Sequence, residues 1–209
     1  MKTTAAHFQT VLQTLGKLGF LVESDPKLTS VCSLIAAEPM RGSWWSHPLA
    51  QVIFQVNERL EDHNDVLLTK LVSGKVTFVH RKLWSEVITI ARAREDWQMK
   101  KLSPPVSSLL AQIDSAGSLT TAEAVWPRQS KMKLGDAARE LERRLLVAGS
   151  QFHSESGAHL KLLETWDHWM KRKKFKPAKI SVEAAKEQLD LKLGRLNEKY
   201  EASAKLPWH

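Results

Sequence analysis

Three groups of residues in this chain could do chemistry. The first is R-G-S-W-W-S-H-P, Arg41 to Pro48, where two tryptophans stand between a glycine and a His-Pro pair. Adjacent indoles can stack on nucleic-acid bases, fill a core, or, as Trp44 and Trp45 with Arg41 and His47, line a pocket. The second is K-R-K-K-F-K-P-A-K, in which Lys171, Arg172, Lys173, Lys174, Lys176 and Lys179 surround Phe175. Such a run can track a phosphate backbone by releasing counterions, or it can close the C-terminal pole of a helix. The third is a set of donors ahead of that run. Arg128, Gln129, Ser130, Lys131, Lys133 and Arg139 lie on or before a stretch of helical spacing, and Ser154, Ser156, His159 and Lys161 flank a turn. Both sets can reach phosphate, and the first can reach base edges. Asp136, Glu140 and Glu142 dilute the first and Glu155 the second, so a solvated helix and a purely structural hairpin are the competing readings.

Other chemistry lacks its residues. His47, His63 and His80 fall on different predicted elements, and His153 and His159 straddle a turn with nothing to complete a cluster, so no metal is expected. There is no G-x-S-x-G, P-loop, G-x-G-x-x-G or H-E-x-x-H, and no cofactor is expected. Cys32 is the one cysteine; in an apolar helical stripe it reads as a buried structural thiol.

These residues must be positioned by 209 residues of 43% apolar content with eight tryptophans, enough to fold. The net charge of +8 fits a polyanionic partner. The excess is uneven: residues 1–70 hold six basic and seven acidic residues, whereas 166–209 hold eleven and six. No apolar run reaches the roughly eighteen residues of a membrane span. The opening M-K-T-T-A-A-H-F reads as a helix and not as a signal peptide, so a cytoplasmic protein is expected.

Phe8, Val11, Leu12, Leu15 and Leu18 predict a first helix that ends between Gly16 and Gly19. A second is predicted from Asp25, its cap, with Pro26 in the first turn, to Pro39. A third, capped by Ser46, carries Leu49, Val52, Ile53, Val56 and Leu60 on one face. Two β-rich runs flank Ser73-Gly74 as a hairpin, and helical spacing resumes through Leu83, Trp84, Val87, Ile88 and Ala91. Pro104-Pro105 predict an extended connector and a domain boundary. Beyond it a helix ends at Gly117, Thr120 or Thr121 caps a second that Pro127 stops, and Leu134, Ala137, Ala138, Leu141 and Leu145 mark a third. Two extended runs then flank His153–Gly157. Three helices and a hairpin are the winged helix-turn-helix order. A last helix with Ile180, Ala184, Leu189, Leu193 and Leu196 packs on its own domain or forms a homodimer with a second copy.

R-G-S-W-W-S-H-P, L-L-T-K-L-V-S-G-K-V-T-F-V-H-R-K-L-W and S-E-S-G-A-H-L-K-L-L-E-T-W together resemble bacterial winged-helix proteins related to AlkZ-type DNA glycosylases or to AphA-like transcription factors. The resemblance covers most of the chain and implies tandem winged helices. AlkZ-type glycosylases use a Gln-x-Gln or Gln-x-Asp motif; here Gln112-Ile113-Asp114 matches it, but in mid-helix of the second half. The expected fold class is α+β, predominantly α. The expected domains are an N-terminal helical and hairpin domain over 1–101, a winged helix-turn-helix over 102–165 and a basic helical extension over 166–209. The expected function is binding of double-stranded DNA, without catalysis and away from membranes, in the manner of a transcriptional regulator. A glycosylase-related repair protein and a protein-interaction module are the competing classes.

Overall fold

The computed structural model describes residues 3–153 and 159–209, with side chains described outside 152–159. The first unit runs α1 (Thr4–Leu18), β1 (Phe20–Val22), α2 (Val31–Ala36), α3 (Ala50–Glu61), β2 (Val66–Thr69) and β3 (Thr77–His80). Its antiparallel sheet has the order β1-β3-β2, with Val79 between Phe20 and Leu67. After α4 (Trp84–Ala93) and α5 (Asp96–Met99), the second unit runs α6 (Pro104–Ala116), β4 (Ser118–Thr120), α7 (Leu134–Arg143), β5 (Ala148–His153) and β6 (His159–Glu164). Its sheet has the matching order β4-β6-β5. Two helices follow, α8 (Trp166–Arg172) and α9 (Val182–Tyr200). The fold is mixed α+β, about half helical, with two small three-stranded antiparallel sheets.

The alternation of strand side chains explains how the first sheet is used. Leu21, Val66 and Phe78 face one way, into a core with α1, α2 and α3. Phe20, Val22, Leu67 and Val79 face the other way, into a core shared with α4, α8 and α9. Trp84 sits at the centre of that second core, fully buried, with its indole N–H donating to the Val79 carbonyl at 3.0 Å. Trp169 and Phe175 meet its ring edge-on at 4.9 and 5.2 Å, the geometry that aromatic quadrupoles favour. The apolar stripe of α9, through Ala185, Leu189 and Leu193, is therefore covered by its own chain.

Local structure departs from the expected pattern in six places. Phe20–Val22, for which no element is expected, is a strand, entered where Gly19 at φ 95° ends α1 within the glycines expected to end it. α2 is capped by Ser30 and not by Asp25, whose carboxylate instead accepts from the Lys27 and Leu28 N–H groups and pairs with Lys75 at 2.7 Å. α3 begins after Leu49; Ser46 closes a 3₁₀ turn, and His47 Nδ1 accepts from Leu49 N at 3.1 Å. Ser73 and Gly74 do turn the β2–β3 loop with positive φ, but the paired strands stop at Thr69 and resume at Thr77. Pro104 and Pro105 open α6 rather than forming a connector, since a first-turn proline loses no helical hydrogen bond. The helix expected between Thr120 and Pro127 is replaced by β4 and a turn, in which Glu123 accepts from the Thr120 hydroxyl and N–H.

The two units are bolted together at their backbones. The Arg144 guanidinium donates to the carbonyls of Trp97, Gln98 and Lys100 at 3.2, 3.1 and 2.9 Å. Gln98, fully buried, returns an amide N–H to the Arg144 carbonyl at 3.1 Å. Arg92–Asp167 at 2.9 Å and Arg94–Asp114 cross the same joint.

Candidate nucleic-acid interface

The exposed edge of the second unit is built on α7. Ala137, Ala138 and Leu141 bury one side of this helix, which leaves Gly135, Asp136, Arg139 and Arg143 outside. The approach to it, residues 127–133, is held from within: Trp126 Nε1 donates to the Met132 carbonyl at 3.1 Å, and Ser130 Oγ bonds the same carbonyl at 3.0 Å. With the backbone fixed, Arg128, Gln129, Lys131 and Lys133 project to solvent. Among the described residues Arg128, Lys131 and Lys133 have no carboxylate partner, whereas Arg139 is paired with Asp136. Lys133 is the residue before the helix, where free N–H groups and the helix dipole add to the positive potential.

The other expected contacts separate. Lys161 is only partly exposed and binds Glu142 at 2.7 Å. Gly149 makes room for that pair, because a Cβ there would lie 2.1 Å from a Glu142 oxygen. Ser154 and Ser156 lie outside the described residues, as does the side chain of His159. Lys171, Lys174, Lys176 and Lys179 are exposed, but Arg172 turns back to Glu164, donating through Nε at 2.8 Å. Burial would raise the Glu164 carboxyl; hydrogen bonds from Arg172 and His168 outweigh it and hold the group below the usual carboxylate range. Phe175, packed on Trp84, is core rather than a base-stacking surface.

Arg172 and Lys173 instead line a cavity of about 330 Å³ at the seam of the two units, opposite Glu58, Glu61 and Asp62. Burial raises the Glu61 carboxyl, which accepts from Gln151 N at 3.2 Å, and burial lowers the Lys173 ammonium. The seam is thus lined by both signs of charge.

The tryptophan doublet divides as well. Trp44 is 7% exposed and Trp45 64%, with rings stacked at 4.1 Å. Arg41 is exposed, and His47 Nε2 lies 3.3 Å from Glu38. The cavity nearest this loop opens behind it and is lined by Met40, Gly42, Glu23 and Lys70, not by the four residues expected there. Glu23 and Lys70 carry no motif and are brought together only by the sheet. Cys32 stands beside Glu23; burial and that neighbouring charge push its thiol up to about 12.

A family model described as AlkZ related matches residues 5–206. The chain belongs to the AlkZ-related family. No curated protein and no solved structure matches it. In this AlkZ-related protein the Gln-x-Asp match is spent on structure. Gln112 clamps Val125 from both sides, accepting from its N–H at 2.8 Å and donating to its carbonyl at 3.0 Å, and Asp114 pairs with Arg94. No helix among the described residues is long and apolar enough to cross a membrane.

Proposed function

We propose that this AlkZ-related chain binds duplex DNA in a repair setting, with the α7 edge of its second unit as the contact surface. The observation that carries the reading is the internally bonded 127–133 segment, which displays Arg128, Lys131 and Lys133, without carboxylate partners among the described residues, ahead of a helix whose other side is anchored in a core. The order helix, strand, helix, helix, strand, strand, with sheet order β1-β3-β2, supports assigning the first unit to the winged-helix class. The second unit, with its middle helix reduced to a turn, supports the same assignment through its matching sheet order. In such units the helix before the hairpin is the one that enters the major groove, and here that helix is α7. The family favours repair over the transcriptional-regulator role expected from charge and fold order. Gln112 and Asp114, committed to internal bonds, favour binding without base excision. The test is a gel shift on a mixed-sequence duplex. Lys131→Ala with Lys133→Ala should weaken binding to all sequences alike, as loss of phosphate contacts does. Arg172→Ala, which removes an internally paired cation, should change affinity far less; the reverse ranking would move the interface to the tail.

A further inference from the structure

The cavity in the first unit holds chemistry that the α7 surface does not use. It measures about 380 Å³, within the roughly 300–1,000 Å³ of small-molecule sites. Its walls are the β1–α2 loop, the residues before the tryptophan doublet and the β2–β3 loop. Lys70 and Glu23 both line it. Lys70 is half-buried, and among the described residues its ammonium has neither a hydrogen-bond acceptor nor an ion-pair partner. Its neighbour Lys75 is different, being held by Asp25 at 2.7 Å. Glu23 accepts from Asn57 Nδ2 at 3.0 Å and from the Trp44 side chain, so its carboxyl has a set position in the cavity wall.

Burial lowers the Lys70 ammonium, Lys161 and Arg143 add to the lowering, and Glu142 and Glu23 only partly oppose it. Burial raises the Glu23 carboxyl, offset in part by Trp44 and Lys70. The amine is moved toward its neutral, nucleophilic form and the acid toward its protonated form, which is the pairing that condensation with a carbonyl needs.

We infer that Lys70 is an imine-forming amine and that the cavity takes an aldehyde, whose carbonyl carbon meets the Lys70 Nζ beside the Glu23 carboxyl. The amine adds to that carbon and gives a carbinolamine. Glu23 protonates the departing hydroxyl, water leaves, a C=N bond forms, and a proton from nitrogen returns to Glu23. No oxidant or reductant takes part. Two sources have this chemistry: the ring-opened sugar of an abasic site in DNA, and a small free aldehyde. The DNA source rests on the reading of α7 as a DNA surface. Arg143, at the end of α7, lies against Gly74 on the cavity's rim, where an added Cβ would sit 3.4 Å from its Nε, so a backbone held by α7 would pass beside the cavity.

The full chain is incubated with cyanoborohydride and one of three probes: a duplex with one aldehydic abasic site, the same duplex without it, or glycolaldehyde phosphate. Adducts are located by peptide mass mapping, and duplex binding is followed in the same samples by gel shift. The abasic duplex should give one adduct, on Lys70, that the intact duplex does not give. Lys70→Arg, which keeps the charge, should lose it, and Lys75→Arg should keep it. An adduct on Lys70 from glycolaldehyde phosphate alone supports the amine and assigns it to free aldehydes. Adducts scattered over exposed lysines such as Lys131 and Lys171, or retained in Lys70→Arg, overturn the inference. Duplex bound with no Lys70 adduct from any probe also overturns it and leaves the DNA reading standing; absence of duplex binding overturns that reading instead, and the small aldehyde then decides the amine.

Discussion

Trp44 and Trp45 adjoin in sequence and stack on each other, yet only one supports the fold. Trp44→Ala should cost about 3–5 kcal/mol, as truncation of a large buried aromatic does. Trp45→Ala, at a ring 64% exposed, should stay within about 0.5 kcal/mol. Denaturant unfolding of both variants separates them, and equal costs would contradict the assignment. Sequence left core and pocket both open for the pair, because which ring turns in depends on the 3₁₀ turn at Trp44–Ser46, for which no residue pattern gives a sign. Glu164 is a second case. Its carboxyl is buried and carries no motif, and its role exists only because α8 brings Arg172 and His168 back over β6. A folded-state value below the unfolded one contributes stability that is present above about pH 4.3 and is lost as the pH falls through the folded value. Glu164→Gln should therefore cost about 1–3 kcal/mol at pH 7, where it leaves Arg172 without its charged partner. That penalty should shrink below about pH 4 in thermal melts, and a penalty independent of pH would contradict the assignment.

At the scale of elements, amphipathic helices were legible and the three-residue strands were not. α1, α3, α6, α7 and α9 each bury an apolar stripe that the spacing of residues announces. β1 and β4 span three residues each and exist because β3 and β6 offer them an edge, a long-range pairing that local sequence does not encode. The turn that replaces the helix before Pro127 has a similar cause: Gln112, on α6, satisfies both backbone groups of Val125 and holds the chain extended there. Gln112→Ala should then destabilise the protein by about 1–2 kcal/mol through the two lost bonds. Hydrogen exchange should rise first around Val125. Wild-type protein should release no base from alkylated duplex; release that vanishes in Gln112→Ala would turn this clamp into a catalytic group.

For the whole molecule, the segment 166–209 could be read as a basic extension, but its apolar residues complete the second core of the first sheet. Charge and burial thus compete for the same stretch: Lys173 and Phe175 are half-buried and Arg172, though exposed, is tied to Glu164, while Lys171, Lys174, Lys176 and Lys179 stay outside. Arg144, bonded to three carbonyls across the joint, should make the two units unfold together. Arg144→Ala should lower stability by about 1.5–3 kcal/mol, the range for hydrogen bonds to a charged group, and a calorimetric trace that splits into two transitions would show that this residue couples them.

The claim that joins these scales is that the α7 edge holds duplex DNA. Fluorescence anisotropy of a labelled duplex, titrated at salt concentrations from about 50 to 200 mM, tests it most directly, because each phosphate contact contributes about −0.9 to the slope of log K against log salt. Measurable binding with a steep negative slope is expected. In the Lys131→Ala, Lys133→Ala variant that slope should become shallower by about 1.8, two contacts' worth. No binding at the lowest salt, or identical slopes for wild type and variant, would contradict it.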